Sequence, residues 1–105
     1  LSEVNEALTA GLFARLGIGT RLLRDSALIP REALQAMDPS ERLAALVEAV
    51  GGRRYLSGPA AKAYLDHGPF ARRGIEVAWM EYGGYPDYPQ LWGDFEPAVS
   101  VVDLL

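Results

Sequence analysis

Arg54-Tyr55-Leu56 runs into Ser57-Gly58-Pro59 and then into Ala60 to Asp66, the order of a short strand, a tight turn and a helix start. Backbone N–H groups exposed at such a turn can hold an anion. Ser57 and Gly58 are therefore candidate binding residues for a phosphate or carboxylate. The same geometry also serves structure alone, with Ser57 capping the helix and Gly58 taking a backbone shape that other residues resist. The turn lacks the fuller spacing of a P-loop or of a G-x-G-x-x-G fingerprint. As a nucleophile Ser57 would need a base, and the single histidine is His67. A helix between the two would hold them roughly 12–15 Å apart, beyond hydrogen-bonding reach.

Carboxylates supply the acid–base candidates. In open α/β sheets ligands bind beyond the carboxyl ends of the strands. Applied to this chain, those ends are Arg24-Asp25-Ser26, Ser57-Gly58 and Glu81-Tyr82. Glu81 is the candidate general base, with Asp25 or Asp103 as partner; the alternative is a carboxylate solvated at a strand end. Ser26, and Tyr55 on the strand that leads into the second rim, join the candidate substrate-binding residues. Tyr82, Tyr85, Tyr88 and Trp92, with Gln90, cluster in one long loop. Aromatic faces stack on sugar rings and bases, while amide and phenol groups read hydroxyls; packing of the loop onto the sheet would use the same side chains. Arg53-Arg54 and Arg72-Arg73 either pair with phosphates or lie as solvated surface. Asp87, Asp94, Glu81 and His67 have no metal-ligand spacing, so no metal site is expected, and no residue pattern identifies a cofactor.

These residues need elements to hold them. Residues 3–16 read as an amphipathic helix capped by Ser2, with Val4, Leu8, Leu12, Phe13 and Leu16 as its apolar stripe. Gly17 and Gly19 end it, Thr20-Arg21-Leu22-Leu23 is a candidate first strand, and Arg24-Asp25-Ser26 is a polar turn. Residues 27–37 are either irregular or hold a short helix over 31–36 behind Pro30. Asp38-Pro39-Ser40-Glu41 predicts a helix start with an acid at the N-cap and proline at the first position. Leu43, Leu46, Val47 and Val50 line one face, and Gly51-Gly52 close the helix. Arg54 to Leu56 is the second strand. A helix over about 60–66 follows, with His67 exposed at its C-terminus before the break at His67-Gly68-Pro69. Phe70 to Arg73 can add one turn. Ile75 to Tyr82 is the third strand, apolar on both faces as in a covered strand. Residues 83–97 form a long loop, and a last helix opens at Pro97 or Ser100. The alternation predicts an α/β, Rossmann-like layer: a small, mainly parallel sheet of about three strands flanked by helices, and a partial domain.

Composition bounds the classes of function. The chain has 105 residues, 50% of them apolar and 23% charged, which suits one small folded domain over residues 1–105. Fourteen acidic residues outnumber ten basic ones, for a net charge of −4, so general nucleic-acid binding or attraction to an anionic membrane surface is not expected. No apolar run approaches the ~20 residues of a membrane span, and residues 1–16 do not read as a signal peptide. There is no cysteine, which removes disulfides and thiolate chemistry and is compatible with a reducing cytoplasm. Both ends read as cuts, one inside a helix turn and one in an apolar pattern without a terminator.

Several spaced motifs together resemble a known family. Arg54-Tyr55-Leu56-Ser57-Gly58 with Tyr64-Leu65-Asp66, then Phe70 and Gly74-Ile75-Glu76-Val77, are similar to the body of the WbqC-like family. So are Tyr88-Pro89-Gln90-Leu91-Trp92-Gly93-Asp94-Phe95-Glu96-Pro97 and Ser100-Val101-Val102-Asp103-Leu104-Leu105, and the earlier Asn5, Leu16-Gly17-Ile18 and Ser26. The family's opening Gln-Pro-x-Tyr-x-Pro-type segment has no counterpart, so the resemblance implies the C-terminal part of a longer protein. It further implies a cytoplasmic transferase of bacterial surface-polysaccharide (O-antigen) biosynthesis. Such an enzyme passes an acyl or aminoacyl (glycyl-type) group to an amino sugar or nucleotide sugar. On that reading the partner is a sugar-containing small molecule, and a homo-oligomer is open. The rival expectation is a non-catalytic binding or assembly module whose apolar faces pack on another domain.

Overall fold

The computed structural model describes residues 1–105. Helix α1 spans Ser2–Leu16, followed by short helices α2 (Asp25–Leu28) and α3 (Arg31–Ala36), and by α4 (Pro39–Ala49). Strand β1 (Arg54–Ser57) leads through a 3-10 helix (Pro59–Ala63) into α5 (Gly68–Arg72) and strand β2 (Glu76–Trp79). A second 3-10 helix, Val101–Leu104, lies beyond the long loop. No helix is long and apolar enough to cross a membrane.

The chain is an α/β fold. β1 and β2 pair in parallel, Arg54 opposite Glu76 through Ser57 opposite Trp79, and parallel strands need a crossover such as the intervening helices. The ladder extends by one bond at each end, from Glu76 N–H to Arg53 O at 2.9 Å and from Met80 N–H to Ser57 O at 2.8 Å. An ion pair between Arg54 and Glu76 at 3.0 Å matches the register on the exposed side.

Two strands form the sheet where about three are predicted. Thr20 to Leu23 is extended but joins no ladder, and Leu22 and Leu23 are exposed. A strand is stabilised by its neighbour's backbone groups and by cover on its faces, and neither is present beside this segment. The second strand extends one residue further than read, through Ser57, and the third is shorter, ending at Trp79.

Helix α4 forms where its signals lie. Asp38 Oδ1 accepts the Ser40 N–H at 3.0 Å, with Pro39 at the first position. Its buried face centres on Ser40, Ala44 and Ala45, while Val50 is exposed. The small alanines let α4 approach closely, and Ala44 joins Leu65, Phe70 and Ile75 in the core, with Leu43, Val47, Tyr55, Val77 and Trp79 packed around it. The buried Ser40 is satisfied, since its hydroxyl accepts the Asp66 N–H at 3.0 Å. Gly74 turns α5 into β2 with φ 64°, and the Ile75 N–H returns to Phe70 O at 2.9 Å.

Helix α1 covers only part of its expected apolar stripe. It buries no residue, and Val4 and Leu8 are 58% and 62% exposed. Leu12 and Phe13 of the stripe are half-buried, and so are the polar Glu6 and Thr9. The accessible surface is 8230 Å², against about 5,800 Å² for a compact monomer of this length. The radius of gyration is 16.9 Å, against about 13 Å.

Candidate functional site

The polar stripe of α1 faces the rest of the chain. Ser2, Asn5, Glu6 and Thr9 follow the helical repeat, and with α2, α3 and the segment before them they line a cleft of about 580 Å³. Of its 13 lining residues only three are hydrophobic, so the space suits a polar ligand. Asp25 and Ser26 both lie here. They are the first turn of α2 rather than a loop after a strand, and Asp25 Oδ1 accepts the Ser26 N–H at 2.7 Å. Arg24, just ahead, pairs with Glu6 on α1, its Nε 2.6 Å from Oε2. Arg42 of α4 donates Nε to Leu34 O at 2.8 Å.

The three rims do not meet in this cleft. Glu81, Ser57, Gly58 and Tyr82 are absent from its lining. Glu81 is exposed beyond the end of β2. Gly58 has φ −69° and ψ 150°, a conformation open to any residue, so the idea that only glycine fits there does not hold. The nearest atom to an added Cβ would be Tyr82 Oη at 3.6 Å, which brings those two candidates together. No side chain caps the 3-10 helix. Pro59 lacks an N–H, and that of Ala61 is spent on Gly58 O at 3.1 Å.

Tyr55 stacks on Phe70 with ring centroids 5.2 Å apart, against the core. His67 precedes α5 instead of ending a helix; its ring lies edge-on to Trp79 at 6.0 Å. Lys62 Nζ stands 5.7 Å from the Trp79 ring centroid.

A second cluster assembles Tyr88, Gln90 and Asp103. Tyr88 Oη donates to Asp103 Oδ2 at 2.8 Å, and Gln90 Nε2 donates to the same oxygen at 2.8 Å. The bond to Asp103 raises the Tyr88 pKa above the usual tyrosine range, because the carboxylate favours the protonated phenol. Arg72 and Arg73 converge on Glu41, and Arg73 also reaches Glu48 at 2.9 Å. The Arg73 hydrogen bond holds the Glu41 carboxyl below its ordinary pKa. These arginines are therefore engaged in joining α5 to α4. No group of three or more His, Asp or Glu side chains is placed to hold a metal ion.

Asn5 entered the sequence reading only through its resemblance, and Arg31, Gln35 and Arg42 did not enter as site residues. The signals were the 2-5-6-9 polar stripe and the i, i+4 spacing of Arg31 and Gln35, both overshadowed by the apolar stripe of α1.

The family model described as the WbqC-like protein family matches residues 1–105, the whole chain. An uncharacterized protein of Mycobacterium tuberculosis, Rv1507c, is 44% identical over 105 residues, covering 100% of this chain and 43% of that protein. The chain thus spans less than half the length of that relative. No solved structure matches it.

Proposed function

The chain belongs to the WbqC-like family, and from that premise we propose that it is part of a cytoplasmic transferase that acylates an amino sugar in surface-polysaccharide biosynthesis. What supports this reading is the polar cleft beside α1, lined by Asp25 and Ser26 of α2 together with Asn5 and Thr9 of α1. Amide, hydroxyl and carboxylate groups are those that read a sugar. Asp25 Oδ1 is engaged by its neighbour's N–H, which leaves Oδ2 for the substrate.

In the proposed step the sugar amine nitrogen bonds to the acyl carbon of an activated donor, a thioester or ester. The bond from that carbon to the donor's leaving atom breaks, and the amine proton passes to Asp25 Oδ2. Glu81, Ser57, Gly58 and Tyr82 would act on a second part of the substrate beyond the sheet. Tyr88 and Gln90 would do so from the long loop, Asp103 from the last 3-10 helix, and Tyr55 through the strand it stiffens.

The test is transfer by the full-length protein. Incubation with nucleotide amino sugars and a panel of acyl and aminoacyl thioesters should yield an amide product by mass spectrometry. Asp25→Asn should slow its formation by about 10²–10⁴-fold. No amide from any pairing would remove the proposal.

A second reading rests on α1 and its exposed apolar residues. On that reading the chain is a binding or assembly module, and its apolar face is covered by another domain or chain. The isolated 105-residue chain should then bind a hydrophobic dye and self-associate, and a dye-silent monomer would count against it.

A further inference from the structure

The cleft carries a charge that the chain as a whole does not. Three guanidinium groups line it, from Arg24, Arg31 and Arg42, against two carboxylates, Glu6 and Asp25, while the whole chain is at −4. Two of the three arginines are already held. Arg24 is neutralised by Glu6. Arg42 gives Nε to Leu34 O at 2.8 Å and Nη2 to Met37 O at 3.4 Å, which fixes its planar head without cancelling its charge. The Arg31 guanidinium has no ion pair and no hydrogen bond to another protein group, although Arg31 lines the same space.

A free guanidinium presents a fork of donors that matches phosphate oxygens two at a time. Asn5, Ser26 and Asp25 line the same cleft, and an amide, a hydroxyl and a carboxylate are suited to hydroxyls and an amine. A neutral sugar would use the second set and leave the surplus positive charge unmatched. A sugar bearing phosphate uses both.

We propose that this cleft takes a phosphorylated amino sugar, with its phosphate on Arg31 and its hydroxyl and amine groups on Asn5, Asp25 and Ser26. The assignment rests on the transferase reading only in taking an amino sugar as the ligand. The phosphate can come from a sugar phosphate or from the diphosphate of a sugar nucleotide, and the two present the same oxygens to Arg31.

Calorimetric titration of the full-length protein with glucosamine, glucosamine 1-phosphate and UDP-glucosamine tests it. Both phosphorylated ligands should bind at least about tenfold tighter than glucosamine, from one charge-assisted contact, and the advantage should shrink as salt rises. Arg31→Ala should erase that advantage, and Arg31→Lys should retain part of it. Tighter binding of UDP-glucosamine than of glucosamine 1-phosphate identifies the nucleotide as the source, and equal binding identifies the sugar phosphate. Equal affinity for all three ligands, an Arg31→Ala variant that binds like the wild type, or no binding of any ligand overturns the proposal. Arg31-dependent binding without acyl transfer would sink the transferase and leave this assignment standing. Transfer to plain glucosamine, untouched by Arg31→Ala, would do the reverse.

Discussion

Tyr88 donates its phenol hydrogen to Asp103 Oδ2 at 2.8 Å, which ties the loop after β2 to the last 3-10 helix. Gln90 reinforces the tie by bonding the Glu96 backbone in both directions, from Nε2 to O at 3.0 Å and from N–H to Oε1 at 2.8 Å. Phe95 lies edge-on to the Tyr88 ring at 5.3 Å. The polar groups grouped in sequence as sugar binders are thus one another's partners, and they give a long loop a fixed shape.

The Tyr88 bond has a consequence at high pH. The folded pKa is raised, chiefly by the bond to Asp103. The stabilisation is therefore full below the ordinary tyrosine value of about 10 and is lost as pH rises through the higher folded value. In ring-labelled NMR titrations Tyr88 should ionise above an ordinary tyrosine, and Asp103→Asn should move it back down. A Tyr88 signal that titrates alike in both proteins would contradict the bond.

Glu41 sets the opposite dependence. Its folded pKa is lowered first by the Arg73 hydrogen bond, with Arg72 and Arg73 charges adding to it. That contribution is present above the ordinary carboxyl value and is lost as pH falls through the lower folded one. Glu41→Gln should flatten the acid limb of a plot of urea midpoint against pH while leaving the alkaline limb alone. An unchanged acid limb would mean that the arginines do not hold α5 through Glu41.

Local signals and tertiary partners account for what the sequence disclosed. Helix α4 was legible because its cap, its proline and its glycine terminator act within a few residues, and Asp38 does cap it. The β1–turn–helix–β2 order was legible for the same reason, through Arg54 to Ser57 and Glu76 to Trp79. The failure at Thr20 to Leu23 arose because β propensity needs a neighbouring strand. Helix α1 was legible in part: Leu12 and Phe13 are half-buried while Val4 and Leu8 are exposed, because an apolar stripe predicts which face wants cover, not how much of it is covered. The Glu6–Arg24 and Arg73–Glu41 pairs join residues far apart in the chain, so no local spacing announces them.

Two glycines separate a required conformation from a permitted one. Gly74 holds φ 64° with nothing within 4 Å of an added Cβ, so Gly74→Ala meets only backbone strain, worth about 1–2 kcal/mol. At Gly58, with φ −69° and Tyr82 Oη at an ordinary 3.6 Å, an alanine fits. Urea denaturation should find Gly58→Ala within about 0.5 kcal/mol of wild type and Gly74→Ala clearly below it. Equal losses would mean that the turn after β1 needs glycine after all.

The exposed side of α1 offers the last comparison, between the 105-residue chain by itself and the full-length protein of which the proposed function makes it a part. Leu8 is 62% exposed and α1 buries nothing, so in the short chain Leu8→Glu should change stability by no more than about 0.5 kcal/mol. If another domain or chain covers that face in the full-length protein, the same substitution places a carboxylate in an apolar contact and should lower the melting temperature there. A neutral result in both proteins would mean that Val4 and Leu8 face water throughout, and would remove the assembly reading. A loss confined to the full-length protein would map the covered face to α1, on the side away from the arginine-lined cleft.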